Sequence, residues 1–153
     1  MAGFYKSRLF WIYWLPVLGY CAAIFIQSAY PSPDCLPVFQ YSDKIMHFLG
    51  YAVLGALVFR ALKKTRPHRR MFQVALFGVL LTTLYGMSDE VHQSFVASRM
   101  AEMADVAADF VGGTFGVLCF SLGLLLLGGR KPDVRNGRPG NRFNAPPPAD
   151  GPT

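Results

Sequence analysis

DVAADFVGGTFGVLCFSLGLLLLGG, residues 105–129, opens with two acids and carries no charge after Asp109. A helix that crosses a bilayer needs about 20 mostly apolar residues, and this stretch supplies them in one run. Three others read the same way. Leu9 to Pro33 and Met71 to Ser88 hold no charged residue, and Ile45 to Phe59 holds only His47. Each reaches spanning length once its polar ends are counted. Four such stretches in 153 residues leave too little chain to cover them as core helices of a water-soluble fold. The fold class is therefore all-α: a polytopic membrane protein built as a four-helix transmembrane bundle, with helices near 9–29, 43–62, 71–94 and 105–127.

Composition agrees with this. Hydrophobic residues make up 52% of the chain and charged ones only 16%, a balance typical of membrane proteins rather than of nucleic-acid binders. The net charge of +6 would invite a nucleic-acid partner, but its distribution argues against one. The three cysteines show no metal spacing. Cys21 and Cys119 lie in apolar segments as small hydrophobes, and Cys35 stands alone in a loop, so no disulfide framework is implied. A secretory signal would use Lys6 and Arg8 as its basic region. The apolar run that follows exceeds the usual core of about 7–15 residues, and Gln27-Ser28-Ala29 is a poor cleavage triplet. The first segment reads as a retained helix.

Basic residues cluster cytoplasmically beside membrane spans. Lys6 and Arg8 precede the first helix. Arg60, Lys63, Lys64, Arg66, Arg69 and Arg70 lie between the second and third, and Arg130, Lys131, Arg135, Arg138 and Arg142 follow the fourth. Only Lys44 and Arg99 fall on the opposite side. Both termini and the middle loop are thus expected in the cytoplasm, with loops 30–42 and 96–104 outside. The acids are biased the other way: Asp34, Asp43, Asp89, Glu90, Glu102, Asp105 and Asp109 lie outside, and only Asp133 and Asp150 inside. The basic inner loop, His68 included, needs no partner beyond anionic lipid headgroups. Two units are expected: a transmembrane domain at 1–129 and a disordered cytoplasmic tail at 130–153, rich in Gly, Pro, Asn and Arg, with no core to bury.

Residues three and four apart share a helix face. Asp43, His47 and Tyr51 form one stripe on the second helix. Thr82, Tyr85, Gly86, Asp89 and Gln93 form another on the third, with Glu90 pairing to Gln93. Asp105 and Asp109 share a face of the fourth with Gly112, Gly113 and Gly116. Small residues let helices approach closely in lipid, so this polar face is expected inside the bundle. A purely structural role is open to these groups. Asp43 and Asp105 would cap helix N-termini, and Arg99 would neutralise Asp105 or Glu90. Asp89 and Glu90 fit that role poorly, because they sit at a helix C-terminal end, where the dipole disfavours acids. A cation, a proton or a basic partner would explain them. His92 lies about 200° from Glu90 around the helix and is expected at the headgroup interface.

Asp43, His47, Asp89, Glu90, Asp105 and Asp109 offer oxygen and nitrogen ligands, but no compact signature such as H-E-x-x-H occurs, so neither a metal site nor a cofactor is predicted. Ser88, Ser94 and Ser98 lie near the cluster without a nucleophile elbow.

The elements Asp43-Lys44-x-x-His47-Phe48-x-x-Tyr51, Gly86-x-x-Asp89-Glu90-x-x-Gln93, Arg99, and Asp105-Val106 leading into Gly112-Gly113-x-x-Gly116 resemble, in order and spacing, the VanZ-like family of small integral membrane proteins. The resemblance runs from about Gln27 to Phe120. It implies a link to glycopeptide resistance of the teicoplanin type and supplies no biochemical mechanism. Two positions depart from the family: Ala97-Ser98-Arg99 stands where Pro-Gly-Arg is frequent, and Asp109 where Asn is frequent.

The expected ligand-binding residues are Asp43, His47, Tyr51, Asp89, Glu90, Gln93, Arg99, Asp105 and Asp109, with no catalytic residue assigned. Three functions compete. One is envelope maintenance or resistance, in which an outward pocket binds a lipid-linked cell-wall intermediate, a lipid headgroup or a glycopeptide. Another is a membrane-embedded hydrolase or transferase acting on lipid phosphate or acyl groups. In it Asp89 or Glu90 would be the base, His47 the acid and Arg99 an anion clamp. The third is a proton-coupled carrier using Asp109 and Glu90, which with four helices would need to form a homo-oligomer. Membrane lipids are partners in each.

Overall fold

The computed structural model describes residues 2–30, 41–96 and 102–128. They form four helices: α1 (Ala2–Ser28), α2 (Ser42–Thr65), α3 (Met71–Gln93) and α4 (Met103–Gly128). All four are long and apolar enough to cross a membrane. The protein is an all-α, multi-pass four-helix bundle. The expected tail and Arg99 lie outside the described residues.

The helix limits follow local chemistry. α2 ends at Arg66, whose φ of −126° and ψ of 61° leave the helical region, because the ring of Pro67 excludes that region for the residue before it. α3 starts five residues later, so the connection is tight. α1 begins seven residues before the expected start at Leu9. Lys6 and Arg8 bound the apolar run, but both are good helix formers and do not bound the helix. Pro16 lies inside α1 without ending it, as spanning helices tolerate.

Contacts fix the arrangement. α2 is central and touches α1, α3 and α4, while α4 touches α2 and α3. α1 rests on α2 and barely meets α3. The closest pairing, α2 with α4, is backbone against backbone. A Cβ on Gly112 would strike the Phe48 carbonyl, one on Gly116 the Ala52 carbonyl, and one on Gly55 the Gly113 carbonyl. The small-residue face of α4 is therefore an interior face, as its spacing predicts.

Leu54, Phe59 and Val117 are fully buried. Val17, Tyr51, Val58 and Ala61 join Leu54 between α1 and α2, and Val74 joins Phe59 and Val117 between α2, α3 and α4. Large apolar side chains such as Leu15, Phe72, Leu76, Phe115 and Leu125 face outward around the bundle. Water would not tolerate so continuous an apolar surface, and a bilayer requires it. Cys21 and Cys119 are free thiols.

The ends of the bundle differ in charge. Where α1 and α3 finish and α2 and α4 begin, the acids gather; this is the acidic end. At the other, Lys63 and Lys64 occupy the last turn of α2, and the Arg60 guanidinium sits 5.0 Å from the centre of the Tyr13 ring.

Candidate functional site

Three helices meet at the acidic end. His47 lies one turn into α2, and its face points at the start of α4. There its Nδ1 is 2.9 Å from Asp109 Oδ1, within a hydrogen bond. The last turn of α3 brings Glu90 to the same imidazole, with Oε1 3.9 Å from Nδ1. Gly86, one turn before Glu90, makes this possible: a Cβ there would fall 2.9 Å from Asp109 Oδ2 and 3.2 Å from the Tyr51 ring. Asp109 is 1% exposed and Glu90 5%.

The second oxygen of Glu90 accepts the backbone N–H of Glu102 at 3.3 Å, tying the end of α3 to the start of α4. The Tyr51 ring lies parallel to the His47 imidazole, 6.4 Å between centres, and beyond it Tyr85 donates to the Cys21 carbonyl at 2.6 Å. Among the described residues seven buried side-chain polar atoms have no hydrogen-bond partner; Trp14 Nε1, His92 Nε2 and Thr114 Oγ1 are three of them, and the other four belong to this group of residues: Glu90 Oε1, Asp109 Oδ2, Asp89 Oδ1 and the Tyr51 hydroxyl. Buried polar groups are nearly always paired, and an unpaired one costs about 1–3 kcal/mol. Four in one place mark a site.

Two satellite networks flank this centre. The Lys44 ammonium reaches Asp43 at 2.8 Å and both Glu102 and Asp105 at 2.9 Å. On the α1 side, Gln93 donates to Asp89 Oδ2 at 3.0 Å and to the buried Ser28 hydroxyl at 3.5 Å.

The residues singled out from sequence are thus sorted. His47, Glu90 and Asp109 converge with Tyr51 beside them. Asp89 and Gln93 are a pair with each other, at spacing i, i+4, in place of the expected Glu90–Gln93 pairing. Asp105 is held by Lys44. Asp43 has a side chain 53% exposed and meets Lys44 rather than the buried centre. Arg99 lies outside the described residues. His92, in the last turn of α3, stacks on Phe25 of α1 with ring centres 4.1 Å apart. Ser88 and Ser94 each donate to a carbonyl of their own helix, and Thr82 does the same to Gly78.

Sequence reasoning counted Lys44 as a charge and as part of the Asp43-Lys44-x-x-His47 motif and missed it as an organiser. Its position on the first turn of α2, beside Asp43, was the available signal. A groove of about 300 Å³ opens between the end of α3 and the start of α4, lined by Met87, Glu90, Val91, Ser94, Glu102, Met103 and Val106. Its walls are mainly apolar, with Glu90, Ser94 and Glu102 among them, and Glu90 joins it to the buried centre.

A model of the VanZ/LLP1 family matches residues 5–126. No curated protein and no solved structure matches the chain.

Proposed function

The chain belongs to the VanZ/LLP1 family, and from that premise we propose that it acts in cell-envelope maintenance or glycopeptide resistance by holding an amphipathic ligand at its acidic end. The observation that carries this is Glu90, which faces both the apolar groove between α3 and α4 and the buried His47–Asp109 pair. A hydrocarbon chain fits the groove, and the polar head of a lipid-linked cell-wall intermediate or a membrane lipid meets the ionisable centre. The residues that form the site are Glu90, His47, Asp109 and Tyr51, supported by the Lys44–Asp105–Glu102 and Asp89–Gln93 networks. Asp43 belongs at its rim, and Arg99 is proposed from the sequence as a further ligand-binding residue.

The acidic end faces outward in this reading. Its support is the charge split, with thirteen of fifteen lysines and arginines flanking the other end. Residues 1–129 form the working domain, and 130–153 are an appended cytoplasmic tail. The test is teicoplanin susceptibility of cells producing the wild type or Glu90→Gln at equal membrane levels. The proposal expects resistance from the wild type alone. Equal resistance from both would remove Glu90 from the site.

One observation favours a second reading, that of a hydrolase or transferase. His47 stands between two buried carboxylates, a placement suited to proton transfer. Release of phosphate or of an acyl group from a lipid in liposomes, lost in His47→Ala, would select it.

A further inference from the structure

We propose that His47, Glu90 and Asp109 form a binding site for one divalent transition-metal ion of the Zn²⁺ or Mn²⁺ class. Each residue comes from a different helix, and each offers a ligand atom within 4.8 Å of the others. Donors about 2.1 Å from a shared ion lie about 3.0–3.4 Å apart for right-angled or tetrahedral geometry. The 2.9 Å from His47 Nδ1 to Asp109 Oδ1, a hydrogen bond without the ion, needs only about 0.1 Å of opening to reach the right-angled spacing. The 3.9 Å from Nδ1 to Glu90 Oε1 closes with a small side-chain shift.

A cluster of acids alone would not carry this. The independent observation is that two of its oxygens are left over. Glu90 Oε1 and Asp109 Oδ2 are buried without a hydrogen-bond partner, on residues 5% and 1% exposed, and Glu90 Oε1 is the oxygen turned toward the imidazole. A bound cation satisfies Glu90 Oε1 and offsets two carboxylates held deep in the bundle, where an unpaired charge is costly. One imidazole nitrogen with two carboxylates suits a borderline ion better than Ca²⁺ or Mg²⁺, which take oxygen ligands. Three protein ligands leave a coordination position open, the arrangement of reactive rather than structural sites. No sequence signature announces the site because its ligands are 43 and 19 residues apart, at 47, 90 and 109.

The ion also answers a difficulty of charge. A buried carboxylate pair repels a phosphate headgroup, and a divalent ion between them bridges the two. That role rests on the headgroup reading above; the binding of the ion does not.

The experiment uses full-length protein without a polyhistidine tag, in nanodiscs of phosphatidylcholine, stripped with chelator and dialysed against micromolar Zn²⁺ or Mn²⁺. Bound metal is counted by elemental analysis. The expectation is about one ion per chain, with affinity reduced about tenfold or more in His47→Ala, Glu90→Gln and Asp109→Asn. Thr83→Ala, whose hydroxyl only donates to Val79 of its own helix, keeps the full amount. The wild type's thermal midpoint rises with the metal and falls on chelation, so the site is tested even where a variant does not fold. Wild type without bound metal or midpoint shift, or folded variants with unreduced metal, would overturn the proposal. Lipid retention is scored separately in the same nanodiscs. Metal without lipid-phosphate binding sinks the headgroup reading and leaves the site standing. Metal-independent retention of an amine-bearing lipid sinks the bridging role.

Discussion

Replacing Gly116 by alanine adds one methyl group and should drive α2 and α4 apart. In an ordinary helix interior the change is favourable by about 1 kcal/mol, through backbone entropy. At Gly116 the new carbon would land on the Ala52 carbonyl oxygen, with the carbonyl carbon at 2.7 Å and Cα at 3.0 Å. The obstacle is backbone, so no rotamer change relieves it and the two helices must separate. Overpacking of this kind costs about 1–3 kcal/mol. The upper figure applies to a rigid contact, which leaves a net loss of about 2 kcal/mol once the propensity gain is subtracted. Gly123 is the internal control. It lies on the same helix, and a Cβ there meets nothing within 4 Å, so Gly123→Ala should be neutral or stabilising by up to about 1 kcal/mol. The assay is reversible unfolding in mixed micelles, with the three proteins compared in one denaturing-detergent titration. Gly116→Ala as stable as Gly123→Ala would show that α2 and α4 do not meet at the backbone.

Lys44→Met leaves Asp105 buried without its cation and should destabilise the protein by about 1–3 kcal/mol, with Lys44→Met/Asp105→Asn recovering part of the loss in the same titration. If the double variant is no better than the single, the ammonium acts elsewhere. A single cysteine at position 68, in an otherwise cysteine-free chain, should resist an impermeant thiol reagent in intact cells and react after lysis; labelling in intact cells would reverse the orientation. Deleting residues 133–153, which end in four prolines among eight residues, should leave insertion and resistance unchanged, because Arg130 and Lys131 still flank α4. Normal insertion with lost resistance would give the tail a partner and a role.

The helices were legible because lipid imposes one simple demand, a long run without charge, and all four runs meet it. The start of α1 was not, since Lys6 and Arg8 end the apolar run without ending the helix. Stripe spacing placed His47, Asp89, Glu90, Gln93, Asp105 and Asp109 on the correct faces, and the glycines of α4 identified the face that is buried. Spacing along one helix cannot say which residue meets which across helices. The partner of Asp105 proved to be Lys44, sixty-one positions away. The Glu90–His47–Asp109 meeting depends on how closely Gly86 and Gly112 let three helices approach. Asp43 shows the limit most plainly: it shares a stripe with His47, yet in the first turn of α2 its side chain is 53% exposed and meets Lys44.

The proposed hold of a lipid head by Glu90 at the acidic end can be read out on the intact protein. Native mass spectrometry of the protein extracted from its own membrane tests it directly. A lipid adduct is expected on the wild type, lost in Glu90→Gln while that variant remains folded, and retained in Ser121→Ala, far from the acidic end on α4. Identical adducts on all three proteins, or none on the wild type, would contradict it.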